Sequence, residues 1–181
     1  MTDQSARPAL TPIQERFVVT WGEMGAKWGI NRTAAQIHAL LFLSPRPLHA
    51  EEIAATLGVA RSNVSTSLRE LHNWDLVKVV HLMGDRRDHY ETLQDPWDLL
   101  RVIVRERKER EFDPTLGFLR DCVASREFPR EDEATQKRLK ETLALMELLS
   151  SWSGQMLAMD NTVLKRIARL GAKVQAFLKA A

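Results

Sequence analysis

The tetrapeptide Leu57-Gly58-Val59-Ala60 constrains this chain more than any other stretch. Ile53, Ala54 and Leu57 before it fall on one face of a short helix, and Gly58 can enter the left-handed conformation that stops a helix. Val59 is then placed to plug the corner before a second helix begins. In that second helix Val64, Leu68 and Leu71 recur at helical spacing and face the core. Ser62, Asn63, Ser65, Thr66 and Arg69 are left on the outer face, with Arg61 at its start. Hydroxyls, an amide and arginines on one helix face hydrogen-bond phosphates and base edges without blocking close approach.

Downstream, Lys78 to Met83 and His89 to Thr92 are short β-prone runs, and Gly84-Asp85 between them supplies turn chemistry. Two paired strands with Arg86 and Arg87 at the tip make a wing. One arginine is expected to enter a minor groove while Asp85 or Asp88 holds the other. The order of parts predicts a winged helix-turn-helix, mostly α with a small β-wing.

On these residues the chain resembles the multiple-antibiotic-resistance-regulator (MarR) family, in its glycine-betaine-repressor-like (GbsR-like) branch. The resemblance is carried by Leu40-Leu41-Phe42-Leu43-Ser44-Pro45, Glu52-Ile53-Ala54 with Leu57-Gly58, Asn63-Val64-Ser65 with Leu68-Arg69-Glu70-Leu71, Trp74 with Leu76-Val77, and Gly84-Asp85-Arg86-Arg87 with Tyr90-Glu91. It covers roughly residues 12 to 115. Ala60 departs from the Ser that often caps the recognition helix, a loss of about 1 kcal/mol. His49 stands for a usual Thr or Ser, leaving Glu52 to complete half a capping box. Asp75 replaces the common Gly after Trp74. The resemblance implies a ligand-responsive repressor, dimeric through its terminal helices.

Around this unit, residues 1–10 read as a disordered arm and 11–94 as the DNA-binding domain, with connector helices over 95–130 and a dimerisation region over 131–181. Thr11-Pro12-Ile13-Gln14 starts a first helix running to about Trp28, with Phe17, Trp21, Met24 and Trp28 along one face. A second spans roughly Thr33 to Leu43. Asp95-Pro96 starts a connector whose charged run, Arg101 to Glu111, reads as a solvated face with ion pairs, ending near Phe112-Asp113-Pro114. A shorter helix from Thr115 to Ser125 follows, and Pro129-Arg130-Glu131-Asp132 is the next break.

From Leu139 apolar residues recur at 143, 146, 149, 152, 156, 159, 163, 167, 170, 174 and 177. Unbroken, that helix from Glu131 would reach about 75 Å at 1.5 Å per residue. A bend at Asp160-Asn161-Thr162 is expected, with Ser153-Gly154 as the second choice, and a second subunit to cover the stripe.

Composition bounds the rest. In 181 residues, 26 basic and 24 acidic side chains give a formal charge of +2, so any nucleic-acid reading rests on the placement of Arg61, Arg69, Arg86 and Arg87. One cysteine, Cys122, excludes an internal disulfide framework, no cofactor is implied, and a cytoplasmic protein is expected. No apolar run approaches a membrane span. His81 and His89 are possible cross-strand neighbours in the wing, but no carboxylate or thiol completes a metal set around them. No phosphate loop, nucleophile elbow or paired-carboxylate pattern suggests an enzyme.

Five tryptophans are many for this length. Trp74, Tyr90 and Trp97 form a candidate effector site for an apolar or quaternary-ammonium ligand. The expected partners are therefore double-stranded DNA, a second copy of the chain and a small-molecule effector. The rival reading is a winged helix that binds protein without DNA, from which the paired arginines of the wing distinguish it.

Overall fold

A computed structural model gives the backbone of residues 10–178 and the side chains of residues 10–170. The N-terminal arm therefore lies, apart from Leu10, outside the described residues, as do the side chains at positions 174 and 177.

Helix α1, Pro12–Lys27, begins as its sequence requires: Thr11 Oγ1 accepts from Gln14 N–H, and the Gln14 side chain accepts from Thr11 N–H at 2.9 Å. It lies on α2, Arg32–Leu43, through Val18, Gly22 and Gly25. The aromatic face expected from Phe17 to Trp28 is only partly realised. Phe17 and Trp21 are half-buried and stack at 5.3 Å, whereas Trp28 follows the helix as its C-cap and is 56% exposed. Close approach needs the glycines, because a Cβ on Gly25 would meet the Ala35 Cβ at 2.5 Å.

The sheet has three antiparallel strands in the order β1-β3-β2: Leu48–His49, Asp88–Glu91 and Lys78–His81. The first, two residues after Pro47, carries no pattern that periodicity can read. In register, Val80 faces His89 and His81 faces Asp88. His81 and His89 are thus not cross-strand neighbours; His89 pairs instead with His49 on its other side.

Between β1 and β2 lie α3, Ala50–Leu57, and α4, Arg61–Asn73. Gly58 takes φ 67°, as the turn demands, and Asp75 sits at φ 52° after Trp74. At the start of α3 both halves of a capping box are present rather than one. The Glu52 carboxylate accepts from His49 N–H at 3.0 Å, and the His49 ring nitrogen Nδ1 faces Glu52 N–H at 3.3 Å. Ala60 gives α4 no side-chain cap.

Contacts divide the chain inside α5, Pro96–Arg107, into one unit up to Leu99 and another from Leu100. In the second unit the backbone does not break at Phe112-Asp113-Pro114, as the sequence suggested. Pro114 has no N–H to give, and its ring would press on the carbonyl four residues earlier. The helix widens instead into a π segment, Lys108–Phe112, in which Asp113 N–H reaches Lys108 O, and continues as α6, Asp113–Ala124. After a short 3-10 turn at Phe128–Arg130 come α7, Glu133–Ala158, and α8, Asn161–Leu178. The bend falls where expected, with the Asp160 carboxylate accepting from Thr162 and Val163 N–H.

Arg101 departs from the solvated face assigned to it. Its guanidinium donates to Leu157 O at 2.7 Å, to Met159 O and to Asn161 Oδ1 at 2.9 Å, closing the carbonyl end of α7. The ion pairs expected further along are present, Arg107 with Glu111 and Arg110 with Glu106. In the same unit Leu145, Leu148, Leu149 and Trp152 of α7 are exposed, with Val163, Ile167 and Leu170 of α8. Among the described residues no helix is long and apolar enough to cross a membrane, and no group of three metal-binding side chains occurs.

His38 ties α2 to the strand end: its Nε2 lies 3.2 Å from Thr92 Oγ1, which donates to Leu76 O at 2.6 Å. Burial pushes the imidazole down to about 4. The unfolded imidazole takes its proton near 6.5, so stability is complete above that pH and falls as pH drops toward 4, by up to about 3 kcal/mol. Urea unfolding of wild type should therefore weaken more steeply over this window than that of His38→Gln. Parallel pH curves would contradict the assignment.

Candidate nucleic-acid interface

Helix α4 is fixed from behind. Val64, Ser67, Leu68 and Leu71 are buried, each apolar one contributing roughly 1.5–3 kcal/mol by its removal from water. This orientation exposes all five outer-face residues, Ser62, Asn63, Ser65, Thr66 and Arg69, together with Arg61.

The exposed residues divide by what already holds them. Arg61 Nε donates to Glu51 Oε1 at 2.8 Å and another of its nitrogens donates to Ser65 Oγ, which in turn donates to Arg61 O. Asn63 Nδ2 donates to Thr33 Oγ1 at 3.2 Å, fastening α4 to the start of α2. Ser62, Thr66 and Arg69 have no side-chain partner among the described residues.

At the wing, Gly84 turns the chain at φ 82°. Of the two carboxylates considered for holding an arginine, Asp85 does so, and the arginine held is Arg87. Its Nε lies 2.9 Å and its Nη2 2.5 Å from the Asp85 oxygens, and its backbone N–H donates to the same carboxylate at 3.0 Å. Hydrogen bonding from Arg87 pulls the Asp85 carboxyl well below the usual range. Arg86 has no partner among the described residues and is exposed. Beside the wing, Asp88 instead faces His81 at 3.7 Å.

The hydrogen bond from Arg61, aided by backbone N–H and His49, brings the Glu51 carboxyl down to about 2. Arg46 adds a further pair with Glu52 at 2.6 Å. Sequence reasoning missed His49 as a member of this site. Its Nε2 accepts from Arg87 Nη1 at 2.9 Å across 38 residues of chain, and the only local signal was an imidazole at a capping position.

Trp74, Tyr90 and Trp97 are each half-buried, at the C-cap of α4, in β3 and in the first turn of α5. Burial raises the Tyr90 phenol, with the Asp88 charge adding to it.

This is a polar helix face beside a two-stranded wing that carries Arg86 and Arg87 at its turn, held on a three-helix frame. Residues 28–88 match the MarR family. That MarR stretch runs from the end of α1 into β3 and contains every proposed base- or phosphate-facing residue. Among solved structures, one described as a transcriptional regulator aligns with 81% of this chain and 96% of its own at 21% identity, with a TM-score of 0.65. Its likeness establishes the fold. MepR, a transcription regulator of the Staphylococcus aureus multidrug efflux pump MepA, shares 17% identity over 77% of this chain and 93% of its own, TM-score 0.37. The Thermotoga maritima transcriptional regulator Tm0710 shares 19% over 74% and 89%, TM-score 0.38. No curated protein matches the chain. All three of these structures are described as regulators of transcription.

Because α4 begins without a side-chain cap, Ala60→Ser supplies the missing acceptor for a first-turn N–H. It should raise unfolding stability by about 1 kcal/mol in denaturant titrations. An unchanged midpoint would mean that the first turn is already satisfied by other groups.

Proposed function

We propose that the chain is a sequence-specific DNA-binding regulator, a homodimer that places α4 of each subunit in successive major grooves of a pseudo-palindromic operator. The observation that carries this reading is the set of polar groups that, among the described residues, have no partner on the winged unit: Ser62, Thr66 and Arg69 on the helix, Arg86 on the wing. Exposed groups not engaged within the protein can exchange water for phosphate oxygens and base edges without breaking an internal bond. Arg61, Asn63 and Ser65 stand ready at the same face while bonded internally, and Arg87 is pre-oriented by Asp85.

The second subunit is argued from α7 and α8. Their exposed Leu148, Leu149, Trp152 and Ile167 form an apolar surface that the described residues of their own unit leave uncovered. A two-fold axis through that region relates two winged units, whose half-sites then lie about 10 base pairs apart.

The reading extends to control. The regulator is a repressor of the betaine-repressor-like branch, and Trp74, Tyr90 and Trp97 receive an apolar or quaternary-ammonium effector. Cation–π attraction suits aromatic faces to such a cation. The effector releases DNA by favouring a different spacing of the two winged units, since equal affinity for both states shifts nothing. Tryptophan fluorescence of the dimer titrated with choline, betaine and apolar metabolites tests this part. Unchanged emission and unchanged DNA affinity across the panel would contradict it.

Mobility-shift titrations against the chain's own promoter region test the main claim. Log affinity should fall with log salt at about −0.9 per phosphate neutralised. Arg86→Ala should weaken binding to all duplexes together, and Arg69→Ala should lose roughly 1–3 kcal/mol at a single base position. Salt-independent binding, or variants indistinguishable from wild type, would place the recognition surface elsewhere. Separately, Leu148→Glu combined with Trp152→Glu should convert the dimer to a monomer in sedimentation and weaken operator binding by the lost avidity. A dimer that survives both changes would place the interface outside α7.

A further inference from the structure

We propose that His49 is a positioning residue that locks the wing to the recognition helix, and that it does so only while its imidazole is neutral. The proposal rests on the DNA-binding reading above and concerns how the two contact elements are held in fixed relation.

The two shortest contacts of the ring select one protonation state. His49 Nε2 lies 2.9 Å from Arg87 Nη1, and a guanidinium can only donate, so Nε2 carries no proton. Nδ1 lies 2.9 Å from Glu51 Oε2, and a carboxylate can only accept, so Nδ1 carries one. A single neutral tautomer satisfies both contacts. The opposite tautomer would serve only the longer contacts, Glu52 N–H at 3.3 Å from Nδ1 and the Glu52 carboxylate at 3.4 Å from Nε2, and would set an N–H against Arg87. The lock is therefore made at the expense of the His49 half of the capping box. Glu51 passes the connection on to Arg61 of α4, and Arg87 passes it to Asp85 in the wing turn. A continuous chain of bonds therefore runs from α4 through Arg61, Glu51, His49, Arg87 and Asp85 to the wing. His49 is the one link in it whose ring nitrogen can act as acceptor or donor according to its protonation.

The surroundings decide what a second proton does. The charged groups about His49 are Glu51 and Glu52 on α3, Arg87 and Asp85 on the wing, Arg46 paired to Glu52, and Arg61 paired to Glu51. His89 meets the His49 ring edge-on at 5.5 Å, with its own Nδ1 3.0 Å from Arg87 O and its Nε2 3.6 Å from Asp85. A proton on Nε2 turns an acceptor into a donor facing another donor, and sets an imidazolium against a guanidinium. The two carboxylates hold the charged ring, Arg87 retains only Asp85, and the wing turn loses its side-chain tie to α3 and α4, keeping only the backbone pairing of β3 with β1. The side-chain lock between wing and helix thus depends on an unprotonated Nε2 at His49.

The test has one arm without DNA and one with it, both on the full-length protein. At pH 7.5, nitrogen-15 NMR should show His49 as the Nδ1–H tautomer, and the Arg87 guanidinium protons exchanging more slowly than those of Arg86. Both signatures should vanish together on acidification toward pH 5.5. An Nε2–H tautomer, or Arg87 protons as free as those of Arg86, would overturn the lock whatever the DNA result. In duplex titrations, His49→Ser keeps a competent N-cap but removes the acceptor for Arg87. Wild type should lose about 5-fold in affinity from pH 7.5 to 5.5, and His49→Ser should start about 5-fold weaker and stay flat. His49→Asn, also a good N-cap, repeats the comparison should the serine variant unfold. NMR signatures as expected with His49→Ser binding like wild type at every pH would overturn the positioning role. Signatures as expected with no duplex bound by any variant would overturn the DNA reading and leave the lock intact.

Discussion

The burial of one face of α4 is the constraint on which the site depends. With Val64, Leu68 and Leu71 out of water, the helix cannot rotate without exposing them, and the outward direction of Ser62, Thr66 and Arg69 is settled by exclusion. Gly58 makes this possible by turning the chain in the left-handed region, so that α3 crosses α4 closely enough for Ile53 to be fully buried. A side chain at that position would strain the turn. The functional face is thus positioned by the packing of the opposite one.

Charge placement decides which arginines of a nearly neutral chain are left to act outward. Acidic residues beside the arginines are used to orient some of them and not others. Glu51 takes Arg61, Glu52 takes Arg46 and Asp85 takes Arg87. Arg69 and Arg86 remain unpaired among the described residues. Pairing restricts a long side chain to one direction at little net gain in stability, since exposed ion pairs contribute little. What it provides is a guanidinium already aimed.

Legibility in the sequence followed the range of the interactions. The capping box of Thr11 and Gln14, the turn at Gly58, the αL position of Asp75 and the bend at Asp160 all rest on residues within a few positions of each other, and each was readable. Chemistry that joins distant segments was not. The two-residue strand at Leu48–His49 exists because β3 pairs with it, and the contact of His49 with Arg87 depends on that pairing. The register that separates His81 from His89 has the same origin. Arg101 read as one more charge on a solvated helix, yet it closes the carbonyl end of α7 more than 50 residues away. At Pro114 the local rule was right about the missing N–H and wrong about its consequence, because the helix accommodated it with a π segment instead of ending.

Hydroxyl-radical footprinting of the full-length protein on its operator tests the central claim most directly, because it locates wing and helix on the duplex in one experiment. The account predicts two protected tracts related by a two-fold axis, each with a minor-groove patch that disappears in Arg86→Ala while the protection flanking the major groove remains. Uniform protection without symmetry, or a footprint that Arg86→Ala leaves unchanged, would contradict it.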